Sequence, residues 1–344
     1  MVKTGLGSKA FWFIESGGWK QGDPYTDIQI GFNPMEKITI PKPTFTQKQI
    51  RTSDSLEFNF SFSELLQLGE GEIESVYRDP FLMLTAFGKK VVETPWTGTD
   101  DTITADFTAD THRDTIGLNY LKKDSAAGGS DLERSLLGGE ITSIGLKCET
   151  GDLVREVIGV KFAATGQRYK AFTTVPAFDD GSWSKWNGNA VNGYHSTQVE
   201  LKFGATGMSS LGFKWKSFEY KSLLEKTQEH VGSSKIADIR YPGNREHTLN
   251  LTGKFTDNTL MEELEKDEDD RTHADIEVIL TDDAGNEEIR KFTNAIIDTA
   301  DNYDIPAAAE GKESTLTFKG TRKPALTFSG NYDESDDPDD YITD

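Results

Sequence analysis

Alternation of apolar and polar side chains is the most regular feature of this chain. Leu56, Phe58, Phe60 and Phe62 stand at every second position, the mark of a strand with one buried face. Residues 138–165 set alternating Ile, Leu and Val on both sides of the turn Glu149–Asp152, which predicts a hairpin. Residues 101–121 predict two strands about a polar turn, and residues 273–298 a strand, an Asp/Gly/Asn turn and a second strand. Strands are also expected from residue 198 onward and over 312–320. Residues 79–87 read as strand or extended chain. Residues 38–50, with two prolines, read as an edge strand or lead-in loop.

Helical spacing is rare. Ser63 can cap a short helical turn that Gly69 ends, with Leu65 and Leu66 packing it onto its sheet. Asp257 can cap a second helix in which Leu260, Met261 and Leu264 share one face, Leu260 and Leu264 packing it down. Residues 125–131 and the Gly/Asn-rich stretch 176–195 read as loops. The end, residues 331–344, reads as an acidic disordered tail.

Two phrases recur. Ile50–Leu68 and Ile239–Leu264 both begin Ile-Arg, pass a small polar turn, alternate, and break into a Leu-rich amphipathic run. A second pair aligns without gaps, Ile141–Glu149 against Met208–Lys216, with Gly145 on Gly212 and Lys147 on Lys214. A period above a hundred residues is too long for a solenoid, whose repeats span about 20–50 residues, and suggests a duplicated domain. The expected units are 1–200, a first β domain with long loops, and 201–330, a second.

Composition narrows the function. The chain has 344 residues and a formal net charge of −21, which argues against tight direct binding to nucleic acid. One cysteine, Cys148, rules out an intrachain disulfide framework and a Cys-rich zinc site. No apolar stretch approaches the ~18 residues of a membrane span. The first residues are too interrupted for a secretory signal.

Candidate chemistry is sparse. His112–Asn119 fits the kinase catalytic-loop spacing, but the Gly-rich loop, strand lysine and metal-binding motif that the reaction needs do not accompany it. The histidines His112, His195, His230, His247 and His273 are scattered, with no metal-binding spacing, and read as surface or turn residues. Cys148 lies in an expected strand and reads as a buried, inert thiol. Trp183, Trp186 and Tyr194 sit in the 176–195 loop. They suit stacking on a sugar, pinning the loop to a neighbour, or packing beneath their own domain. No catalytic, cofactor-binding or metal residue is assigned, and no enzyme activity is expected.

The whole layout, over most of residues 25–325, resembles the major tail tube proteins of long-tailed phages and archaeal tailed viruses. The residues that carry the likeness are the strand-to-helix phrase Leu56–Gly69, the phrase Gly138–Phe162, the strand His247–Phe255, the run Asp257–Glu265, and the strands Ala274–Asp282 and Ser314–Gly320. The resemblance implies a mainly β fold with minor α: duplicated tail-tube-type β-sandwich or barrel domains, each with one short flanking helix. It implies a structural virion protein without cofactors that self-assembles into stacked rings, homotrimeric and pseudo-hexameric or hexameric. Its other implied partners are the tape measure protein and the tail terminator and baseplate proteins. DNA would pass only transiently through the lumen, no membrane would be involved, and the protein would sit in the virion tail after assembly in the host cytoplasm. The alternative, from the aromatic loop, is a carbohydrate-binding β-sandwich adhesin or decoration protein.

Overall fold

The computed structural model describes residues 9–15, 20, 23, 29–30, 35–39, 43–50, 60–68, 70–78, 82–83, 86, 90–92, 101–106, 115–122, 132–169, 193–229, 239–256, 259–267, 270–301, 313–320 and 324–330. These are mostly antiparallel β structure. In chain order the strands are β1 Lys9–Ile14, β2 Gln29–Ile30, β3 Met35–Thr39, β4 Pro43–Ile50, β5 Phe60–Leu68, β6 Glu70–Val76, β7 Lys90–Val92, β8 Asp101–Asp106, β9 Ile116–Lys122 and β10 Leu132–Glu149. Then follow β11 Arg155–Lys161, β12 Ala164–Tyr169, β13 Val199–Phe203, β14 Thr206–Gly207, β15 Phe213–Glu229, β16 Ile239–Phe255, β17 Ala274–Thr281, β18 Glu287–Asp301, β19 Ser314–Gly320 and β20 Pro324–Gly330. Among the described residues, helix is found in α1 Thr259–Leu264, in the 3-10 turn Ser196–Gln198 and at Leu82, Met83 and Ala86.

The main ladder runs β3–β6–β11–β10–β15–β16–β19–β18–β17–β13–β14. It curls into a barrel in which, among the described residues, a bridge joins Leu153 to His195. Two backbone bonds flank that bridge, Val154 N–H to Tyr194 O (2.8 Å) and Ser196 N–H to Asp152 O (2.9 Å). The inward phase of the alternation fills the barrel: Leu146 and Cys148 from β10, Phe218 and Tyr220 from β15, Leu249 and Leu251 from β16, Val278 and Leu280 from β17, Leu316 and Phe318 from β19. Non-local pairing of this kind hides each strand's apolar face only when the whole ring is made.

β10 joins two sheets. Its first half pairs with β9 and β12, its second half with β11 and β15. The switch falls at Gly138–Gly139, where Gly138 takes φ +63, a conformation that costs glycine nothing. Glu15, 4% exposed at the end of β1, holds this bulge. It accepts from Gly138 N–H (2.7 Å), the Thr115 hydroxyl (2.5 Å) and Lys20 N–H (3.1 Å). Phe11, Phe13, Leu137 and Ala164 form a smaller core here.

The hairpin expected about Glu149–Asp152 is present as β10–β11, and the strand, turn and strand of 273–298 as β17–β18. Three expectations are corrected. Ser63–Leu68, with Leu65 and Leu66, is not helix but the second half of β5, paired with β4 in a two-stranded sheet of its own. A run of five residues between a cap and a glycine is too short to nucleate a stable helix, and strand pairing wins. Leu82, Met83 and Ala86, expected to be extended, are helical and buried. His247, expected at the surface, is buried in the barrel. The second helix is present as α1, and its Leu260 enters the main core. Asp257 lies outside the described residues, as do residues 170–192 and 331–344.

The recurring phrases take different local structures. Ile50 is the last residue of β4 and pairs with Phe60 of β5, whereas Ile239 is the first residue of β16 and pairs with Glu229 of β15. Gly145 lies mid-strand, where a Cβ would sit 2.1 Å from the Tyr220 carbonyl oxygen, whereas Gly212 has φ +77 in a turn. Residues 200 and 201, the expected domain boundary, are both inside β13, and the main core draws side chains from each side of it.

Candidate functional site

The outward phase of the same strands builds a trough. On β10 it is Lys147 and Glu149, on β15 Ser217 and Glu219, on β16 Asn250 and Thr252, on β19 Thr315. Glu36 of β3, Glu74 of β6, Arg155 of β11 and Asp152 of the β10–β11 turn form its other wall. The concavity holds about 830 Å³. Among its lining side chains, five carboxylates face two cations.

Arg155 organises one wall. Its Nε meets Glu36 at 2.7 Å and Glu74 at 3.6 Å, and its Nη1 meets Asp152 at 2.6 Å. The hydrogen bond from Arg155 holds the Asp152 carboxyl below its ordinary range, and the same bond pushes the Arg155 pKa up. Both are therefore charged at neutral pH. Lys147 pairs with Glu74 at 3.0 Å. The other wall is neutral and hydroxylated: the Thr252 and Thr315 hydroxyls lie 3.3 Å apart, and Thr317 donates to Asn250 at 3.0 Å. Among the described residues, Leu223 is the one large apolar side chain that is exposed. The trough lining itself is polar, with more carboxylates than cations, so it holds water and repels polyanions.

Cys148 lines the floor of the trough, 3% exposed. Burial, reinforced by the Asp152 charge, pushes its thiol up to about 11, so it is protonated and unreactive at neutral pH. Among the described residues, no group of acidic, His and Cys side chains is placed to hold a metal ion.

A second polar cluster lies inside the barrel. Glu288 and Arg290 keep phase with the buried Phe292 on β18 and are themselves fully buried. Arg290 Nε donates to Glu288 Oε1 at 3.0 Å, and the Tyr77 hydroxyl donates to the same oxygen at 2.5 Å. Nearby, the Tyr220 hydroxyl, Ser222 Oγ and His247 Nδ1 form a chain of 2.8 Å contacts. Ser222 and His247 have the atoms of a nucleophile and its base, but exposures of 0% and 3% close them to substrate. The sequence signal for this cluster was charge at core-phase positions of β18; Glu156, in phase with Ile158 on β11, carries the same signal.

The remaining singled-out residues scatter. His195 caps the Ser196–Gln198 turn, accepting from Thr197 N–H, and His273 is exposed. His112, His230, Trp183 and Trp186 lie outside the described residues. Asn119 is buried in β9, far from any catalytic-loop geometry. Tyr194 is buried and stacks on Tyr77 with ring centroids 6.0 Å apart, so it packs beneath its own barrel and offers no platform to a sugar. No protein-family model matches the chain, and no curated protein matches it.

Proposed function

We propose that this chain is a structural subunit of a viral tail tube, which self-assembles into stacked rings around a lumen through which DNA passes. The polar concavity over β3, β6, β11, β10, β15, β16 and β19, lined by five carboxylates and two cations, is the observation that carries this reading. A conduit for DNA needs a wall that phosphates do not adsorb to. Carboxylates at the wall repel them over a Debye length of about 8 Å at physiological salt, and a hydrated Thr/Asn/Ser surface gives a base nothing to stack on.

In this reading the trough faces the lumen and each copy contributes one such face to the ring wall. The partners are further copies of the chain, in homotrimeric pseudo-hexameric or hexameric rings, with tape measure, terminator and baseplate proteins at the ends. Among the described residues β4 and β5 form a two-stranded ribbon; such a ribbon alone is marginal in water, and in this reading a neighbouring copy covers it. Sedimentation velocity and negative-stain electron microscopy over a concentration and salt series test the reading. Rings or hollow tubes are expected; a single monomeric species throughout, with saturable glycan binding, would replace it with the adhesin reading.

A further inference from the structure

Directly paired residues of an antiparallel ladder carry their side chains next to each other on one face. β10 and β11 pair Lys147 with Arg155 in this way. Like charges so placed are destabilising. They are also the arrangement that grips nucleic acid, because closely set cations neutralise neighbouring phosphates. Both side chains open into the trough, so a wall that DNA slides past has its weak point at this pair.

Glu74 engages both cations. It stands on β6 two positions from Val76, the residue that pairs with Arg155. From there its Oε2 meets Lys147 Nζ at 3.0 Å, and its Oε1 lies 3.6 Å from Arg155 Nε. One carboxylate thus offsets the repulsion of the opposed pair. Its side chain is 15% exposed, which holds it in this position and shields the contact from solvent. Two more carboxylates take the donors that Arg155 has left. Glu36 meets Nε at 2.7 Å and Asp152 meets Nη1 at 2.6 Å. Glu36 stands where the register of β3 slips against β6, and a bulge of that kind re-aims a side chain.

We propose that Glu74, with Glu36 and Asp152, masks the Lys147–Arg155 pair and so keeps this face from holding DNA. The inference rests on the tube reading for the DNA that passes. It goes further by assigning the lack of grip to a local mask rather than to net charge. The two causes are separable. If net charge alone kept phosphates away, every carboxylate removed would count equally. With the mask, the carboxylates on the two cations count most.

Fluorescence anisotropy of a short labelled DNA duplex, titrated with the full chain, tests this. Glu36→Gln with Glu74→Gln frees Lys147 and the Arg155 Nε, leaving Asp152 on Nη1. Glu262→Gln with Asp267→Asn changes the net charge equally, through two exposed carboxylates outside the trough lining. At about 50 mM salt the first variant should bind the duplex at least about tenfold more tightly than the second. With two freed phosphate contacts, at a slope of about −0.9 per contact, its affinity should fall about twelvefold between about 50 and 200 mM salt. Glu74→Gln alone should show a smaller gain in the same direction. Adding Lys147→Gln to the first variant should take most of the gain away, which separates a freed cation from a loosened sheet. Equal affinity of the two charge-matched variants, or unmasked variants that bind no better than wild type, would overturn the mask. Either result leaves the tube reading standing wherever tubes form. Absence of rings and tubes refutes that reading, and these affinities still decide the mask.

Discussion

Glu15 offers a sharp test of how the two sheets are tied together. Its carboxylate accepts from Gly138 N–H at the bulge of β10, from the Thr115 hydroxyl and from Lys20 N–H. In Glu15→Ala the first two donors stay buried without a partner, while Lys20 N–H is half-buried and finds water. At about 1–3 kcal/mol for each of the two buried unsatisfied donors, the loss should be about 2–6 kcal/mol. Glu15→Gln keeps the shape and one acceptor oxygen, and its amide can donate to a rotated Thr115 hydroxyl, so it should lose about 1–2 kcal/mol. Urea denaturation followed by tryptophan fluorescence reads this well, because Trp12 is buried in the same strand. If Glu15→Ala costs under about 1 kcal/mol, Gly138 and Thr115 have other acceptors and the bulge does not depend on this carboxylate.

Three further outcomes are expected. Gly145→Ala puts a methyl 2.1 Å from the Tyr220 carbonyl and should destabilise by about 1–3 kcal/mol in the same assay through overpacking. Leu260→Ala, which removes a buried α1 side chain from the main core, should cost about 2–5 kcal/mol by denaturant titration. Cys148 should resist a thiol reagent at pH 8 in the folded protein and react once urea unfolds it. Because its folded pKa of about 11 lies above the ordinary 9.0, its contribution to stability is whole below pH 9 and falls between pH 9 and 11, measurable as a falling urea midpoint that Cys148→Ala removes.

Alternation made much of this fold readable. The β10–β11 and β17–β18 hairpins follow from period-two patterning around polar turns, because a strand half-buried in an antiparallel sheet must show it. Ser63–Gly69 misled because cap and glycine signals act locally, whereas the pairing of Phe45 with Leu66 and Gln47 with Ser63 is set by a partner strand. Ala10–Ile14 is a continuous apolar run without either period, so β1 carried no strand signal of its own. β20 pairs with β18 and with β8, joining distant parts of the chain in a way no local window contains.

The trough was half legible. Its side chains are simply the polar phase of β10, β15, β16 and β19, so their outward direction was implied by the pattern. Their meeting was not, because it depends on β19 pairing beside β16 and on Glu36 and Glu74 arriving with β3 and β6. The buried cluster went unread because charge at core-phase positions looks like broken alternation until the partners are in place. His247 shows the same effect, since its Ser222 partner lies on the neighbouring strand.

Electron cryomicroscopy of the assembled protein tests directly the proposal that the trough lines a channel made by many copies. Hollow tubes of stacked rings with Glu149, Glu219, Asn250, Thr252 and Thr315 at the channel wall are expected. Assemblies without a lumen, or tubes in which these residues face the outside or a subunit contact, would contradict it.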